Sequence, residues 1–179
     1  YFHFVSGGAG GTDSGWQSGT TYVDAGLTAN TDYTYQVKAR YSATPTPNET
    51  AFSNPASGVT LAAAPAAPTL SNATLTTIDL DVNANGNPAA TEFAVQCPGS
   101  SPADANWVGQ YVDATGAASA TAVWQTEPLW GTVTVQGLQT CTAYTFAVKA
   151  RNSDWVETAF GSGASGTAGH LGDVSGDGI

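Results

Sequence analysis

Basic residues are nearly absent: four Lys and Arg stand against fourteen Asp and Glu in 179 residues, a net charge of -10. Neutralising a phosphate backbone takes a cluster of cations, so nucleic acid and anionic membrane surfaces are excluded as partners. No apolar run approaches the roughly 20 residues a membrane helix needs, and no basic-then-apolar leader opens the chain, so membrane insertion is not expected. Methionine is missing altogether, as expected of a processed or partial chain. Two Cys and two His, His3 and His170, offer no zinc-ligand spacing. Helical periodicity is also scarce. What is plentiful is Gly (21), Pro (9), Thr, Ala, Ser and Val, the composition of many short strands and turns, so the fold class is all-β.

The chain repeats itself. YTYQVKAR at Tyr33 to Arg40 returns as YTFAVKAR at Tyr144 to Arg151, ETAF follows at Glu49 and Glu157, and GWQ at Trp16 is matched by VWQ at Trp124. Alternation places Ile78, Leu80 and Val82 on one strand face, as it does Phe93 and Val95, and Tyr144, Phe146 and Val148, which are therefore core faces.

Each copy has a Gly-Leu pair followed six residues after the Leu by Tyr: Gly26, Leu27 and Tyr33, then Gly137, Leu138 and Tyr144. In this the chain resembles the fibronectin type III family, with the departure that Val82 stands where the family's strand B carries Trp. The resemblance implies two tandem Ig-like/fibronectin type III β-sandwiches in which the Leu plugs the sandwich bottom and the Tyr hydroxyl ties the corner between strands E and F. It implies an incomplete sandwich over 1–62 (strands C to G), a Pro/Ala linker at 63–68, a complete sandwich over 69–169 with a long insertion between strands C and E, and a tail at 170–179. YFHFVSG aligns with TEFAVQC, so the first sandwich is expected to lack strands A and B. About six inward side chains are then missing, at about 1.5–3 kcal/mol each, against a domain stability of about 5–15 kcal/mol. Either the natural chain continues upstream of Tyr1 or a neighbouring chain adds a strand, which repeated head to tail makes an open filament. Leu171, Val174 and Ile179 do not alternate and make a poor donor.

Cys97 ends strand C and Cys141 precedes strand F, antiparallel neighbours in this fold, while the aligned Gly7 and Asn30 lack both thiols. A disulfide is the expected pairing; it would contribute about 4 kcal/mol in the chain-entropy model and implies an oxidising, extracellular location. The tail DVSGDGI resembles the opening of a dockerin calcium loop, with Asp173, Ser175, Asp177 and the Ile179 carbonyl as ligands and Gly178 at the turn, so calcium is the one cofactor suggested.

No pair of carboxylates, nucleophile turn or phosphate-cradling loop stands out, so an enzyme is not expected. Asp79, Asp81 and Asp154 read as solvated strand and loop acids. Trp16 and Trp124 read as a shared packing pair, leaving Trp107 and Trp155 as surface candidates for stacking on sugars. The long insertion suggests a subunit or glycan contact, and Asn48 and Asn72 head two glycosylation sequons. The expectation is a non-enzymatic, secreted bacterial structural protein forming a homopolymeric fibre or surface layer by strand addition. A spacer or adhesion segment of a dockerin-bearing, cellulosome-like protein and a carbohydrate-binding module are the alternatives.

Overall fold

The structure is a computed structural model that describes residues 1–41 and 48–169. The chain divides into two units, Tyr1–Leu61 and Ala62–Ile179. It is all-β.

In the first unit β1 (Phe2–Ser6), β2 (Asp32–Val37) and β5 (Ala56–Val59) form an antiparallel sheet in the order β1-β2-β5, and β3 (Arg40–Tyr41) pairs with β4 (Asn48–Glu49). The second unit contains β6 (Thr69–Ser71), β7 (Thr77–Asp81), β8 (Glu92–Ser101), β9 (Tyr111–Val112), β10 (Ala118–Ser119) and β11 (Gln125–Thr126). These are followed by the short helix α1 (Glu127–Trp130), β12 (Thr132–Gln136), β13 (Ala143–Arg151) and β14 (Ala164–Thr167). One sheet runs β12-β7-β6; the other runs β10-β9-β8-β13-β14, with β11 on β8. This is the two-sheet antiparallel arrangement of an Ig-like sandwich.

Strand alternation explains its core. Ile78, Leu80, Val133 and Val135 from one sheet meet Phe93, Val95, Tyr144, Phe146 and Val148 from the other, and all are buried. Each such side chain stabilises the fold by about 1.5–3 kcal/mol on leaving water.

The corner is built as the resemblance implies. The Gln139 amide donates to the Tyr144 hydroxyl at 2.8 Å and the Thr28 amide to the Tyr33 hydroxyl at 2.8 Å. Each hydroxyl then donates onward, Tyr33 to the Ala9 carbonyl at 2.5 Å and Tyr144 to the buried Asp104 carboxylate at 2.6 Å. Loss of water, then the bond to Asp104, pushes the Tyr144 phenol up to about 12. Leu138 is buried at 2% exposure, whereas Leu27 is half-buried.

Three expectations change. The strand pairing sets Phe2 opposite Val37 and Val95 opposite Val148, so Phe2 corresponds to Val95 and Phe4 to Cys97, three residues away from the alignment on apolar letters. A β-bulge interrupts both pairs at the same level, between Phe4 and Ser6 and between Thr145 and Ala147.

The second change concerns the cysteines, which are not joined. Strand β8 continues past Cys97 to Ser101, opposite Ala143, which puts Cys141 beyond the strand end and five residues along from the level of Cys97, roughly 15 Å at strand rise. A disulfide needs Cα atoms within about 7 Å. Cys97 is a core side chain whose thiol is pushed up to about 11 by burial, and Cys141 has the left-handed backbone (φ 57°) that Asn30 (φ 44°) has in the first copy.

Third, residues expected as linker and loose insertion are packed. Pro65 and Pro68 are buried, and Asn87 closes a two-bond clasp on the backbone of Ala63, 2.8 Å each way. The insertion contributes β9, β10, β11 and α1, and sends Trp107 (1% exposed), Val112 and Trp130 into the core. The Trp130 indole N–H donates to the Phe93 carbonyl at 3.0 Å.

Tyr144→Phe leaves a buried carboxylate oxygen of Asp104 and the Gln139 amide short of a partner. Urea unfolding of this variant should show a loss of about 1–3 kcal/mol, the cost of orphaning buried polar groups.

Candidate functional site

Two features recur or fail to recur between the copies, and they lie on opposite faces of the sheets. Alternation along VKAR turns Lys38 and Arg40, or Lys149 and Arg151, to the face away from the core. There Arg40 lies 4.3 Å from the ring centre of Trp16 and Arg151 lies 4.4 Å from that of Trp124. Lys38 and Lys149 stand 5.2 Å over the same two rings and 5.0 and 5.4 Å over Phe52 and Phe160. Carboxylates complete the stacks: Glu49 on Lys38 at 2.7 Å, Glu157 on Lys149 at 2.6 Å and Glu92 on Arg151 at 2.6 Å. All four basic residues of the chain are therefore used. A cation over an aromatic face contributes about 0.5–2 kcal/mol, so the shared packing role read for Trp16 and Trp124 is a cation stack. The recurrence of GWQ or VWQ ahead of VKAR in both copies carried that signal in the sequence.

The inner faces differ. In the second unit Tyr144, Phe146 and Val148 are at 0% exposure beneath β12, β7 and β6. In the first unit Tyr33 is buried, but Phe2, Phe4 and Tyr35 are half-buried and Val37, the counterpart of Val148, is 40% exposed. Residues 7–31 carry no strand, and among the described residues no second sheet of three strands belongs to this unit. The face forms an open groove of about 470 Å³ lined by Phe2, Tyr22, Asp24, Leu27, Tyr35 and Val37.

Counting back from the Leu of each corner, Tyr22 and Asp24 stand where the second unit has Val133 and Val135, and Tyr35 stands for Phe146. The substituted residues bond to one another. Asp24 accepts from the Tyr35 hydroxyl at 2.5 Å, the Thr12 amide at 2.7 Å and the Thr12 hydroxyl at 2.8 Å, while Tyr22 meets the Thr12 hydroxyl at 2.7 Å and stacks on Phe2 at 5.7 Å. The bond from Tyr35, then the Thr12 amide, hold the Asp24 carboxyl at about 2. Loss of water and the Asp24 charge push the Tyr35 phenol well above its ordinary value.

The remaining expected sites are dispersed. Asp173, Ser175, Asp177 and Ile179, like His170, lie outside the described residues. Among the described residues no group of three or more His, Cys, Asp and Glu could hold a metal. Asn48 and Asn72 are exposed, and the Asn72 amide donates to Asp79 at 3.0 Å. Asp79 and Asp81 accept from Thr134 and Thr132 across the sheet at 2.6 and 2.7 Å, and His3 pairs with Asp13 at 3.0 Å. Of the two tryptophans expected at the surface, Trp107 is core and Trp155 is 67% exposed. No helix among the described residues is long and apolar enough to cross a membrane.

No family model matches the chain and no curated protein matches it. Among solved structures it is similar to the FN1-FN3 domains of chicken CNTN1, with a TM-score of 0.41 and 13% identity over 78% of this chain. It is also similar to domains A168-A170 from titin, with a TM-score of 0.39 and 13% identity over 78% of this chain. The chain covers 42% and 41% of those two chains. Superpositions this loose add nothing to the strand order, which stands on its own hydrogen bonding.

The Asp24 cluster makes the first unit acid-sensitive. Because its folded carboxyl sits at about 2 against an ordinary 3.8, its stabilisation is complete above the ordinary value and is lost as pH falls through 2. Tyrosine circular dichroism of the first unit should decay between pH 4 and 2, and Asp24→Asn should flatten that decay.

Proposed function

We propose that this chain is a non-enzymatic, extracellular structural protein whose first unit is completed by β-strands of a neighbouring copy, so that copies join into a fibre or surface layer. One observation carries the reading: Val37 is exposed and Tyr35 only half-buried where their counterparts Val148 and Phe146 are sealed. The second unit shows what an occupant must provide. Its β6–β7 ribbon lays Leu70, Ile78 and Leu80 across the equivalent face, each strand pairing antiparallel with the next. A strand from another copy with that alternation would bury Phe2 and Val37 and satisfy an exposed strand edge. Because donor and acceptor are different surfaces, the contact does not close on itself and propagates.

A structural role agrees with how the acidic groups are used. Asp13, Asp24, Asp79, Asp81 and Asp104 all accept hydrogen bonds from hydroxyls or backbone amides, an employment that braces loops and strands.

Sedimentation velocity of the 179-residue chain tests the reading. Multimers growing with concentration are expected, and Val37→Asp, which places a charge on the open face, should return the chain to monomer without changing the melting of the second unit. A monomer at every concentration whose first unit melts cooperatively overturns strand exchange and leaves the groove to another segment of a longer chain or to solvent.

A further inference from the structure

The turn between β13 and the strand-end bridge at Glu157 holds one large side chain in an unfavourable backbone. Trp155 has φ 64°, in the left-handed region; among the described residues four other non-glycine residues share a positive φ, and they are three asparagines and Cys141. Bulky residues are rare there because Cβ crowds the backbone. The turn is imposed by Asn152, which is 4% exposed: its side-chain oxygen accepts from the amides of Asp154 at 3.1 Å and Val156 at 2.8 Å, and its backbone carbonyl accepts from Trp155 at 3.0 Å. Nothing recovered by burial offsets the crowding, since the indole is 67% exposed. Strain held against only a solvent-exposed cation stack on Arg151, 4.1 Å from the ring centre, is a feature of ligand-contacting loops.

The indole is nevertheless aimed. Arg151 lies 4.1 Å from its ring centre and 4.4 Å from that of Trp124, and the Arg151 guanidinium is fixed by Glu92 through both Nε and a terminal nitrogen at 2.6 Å. Arg151 thus contacts both Trp124 and Trp155, and the Trp155 indole stays 67% exposed, flanked in sequence by exposed Asp154, Val156 and Glu157.

We propose that Trp155 is the platform of a binding site for neutral oligosaccharides, its outer face stacking on the C–H face of a pyranose while Asp154 accepts bonds from ring hydroxyls. The electrostatics select this class. A guanidinium already beneath the ring drains its negative face, so a second cation gains little by stacking there. Asp154, Glu157 and the net charge of -10 repel acidic glycans. What remains is an apolar plate with acceptors at its rim, suited to a neutral sugar with an apolar face and donor hydroxyls.

The test is tryptophan fluorescence of the full chain titrated with cellohexaose, mannohexaose and chitohexaose, with hexagalacturonate as the charged counterpart. At least one neutral probe should shift the emission, with hexagalacturonate inert. In Trp155→Asn, whose side chain suits the left-handed backbone, affinity should fall about tenfold or more while the melting temperature holds or rises. Silence with all three neutral probes, equal affinity for hexagalacturonate, undiminished binding by Trp155→Asn, or a melting temperature lowered by several degrees would each overturn the proposal. The last result would make Trp155 a brace for Arg151.

Discussion

A sheet built around a tyrosine corner has an apolar inner face, and everything else in this chain depends on whether that face is covered. Covering it in the second unit brings Ile78, Leu80, Val133 and Val135 against Phe93, Val95, Phe146 and Val148 and takes all of them out of water. The same corner, with a backbone amide donating to the Tyr hydroxyl, stands in the first unit, yet Val37 and Phe2 look into an open groove. Two copies of one design, one sealed and one open, make the difference itself informative.

The open face is adapted to partial wetting. Three positions that are aliphatic or Phe in the sealed copy are Tyr22, Asp24 and Tyr35 here, and they bond to Thr12 and to one another, so the polar atoms are satisfied without an opposing sheet. Gly11 lets the loop backbone lie directly on the Phe4 ring, where a Cβ would collide. These features lower the cost of exposure, yet Val37 and the rim of Phe2 stay uncovered, which is what a joining strand would exploit. On the outer faces the two copies agree: Trp16 and Trp124 each carry a Lys and an Arg, and carboxylates hold Lys38, Lys149 and Arg151, so the chain's few basic charges are spent on bracing.

Much of this was legible in the letters. The repeated words located both copies of strand F, the Gly-Leu-Tyr spacing located both corners, and period-two alternation named core residues that are buried. The register of β1 was not legible, because YFHFVSG offers apolar side chains at several phases and a bulge shifts the count; hydrogen bonding to β2, not composition, sets it. The cysteine pairing failed with it, since strand ends were judged without knowing that β8 runs on to Ser101. Trp107 and Trp130 were hidden in a segment without periodicity, where burial is decided by distant partners such as Phe146, 6.1 Å from Trp107. Asp24 passed unnoticed because its place on the inner face emerges only when the residues before each Leu are laid over one another.

Amide hydrogen exchange across a dilution series bears most directly on the open face. Thr34 to Val37 in β2 should lose protection as the chain is diluted, while Thr145 to Val148 in β13 stay protected at every concentration. Equal, dilution-independent protection of the two segments would contradict the account, for it would mean that half of the design is stable alone.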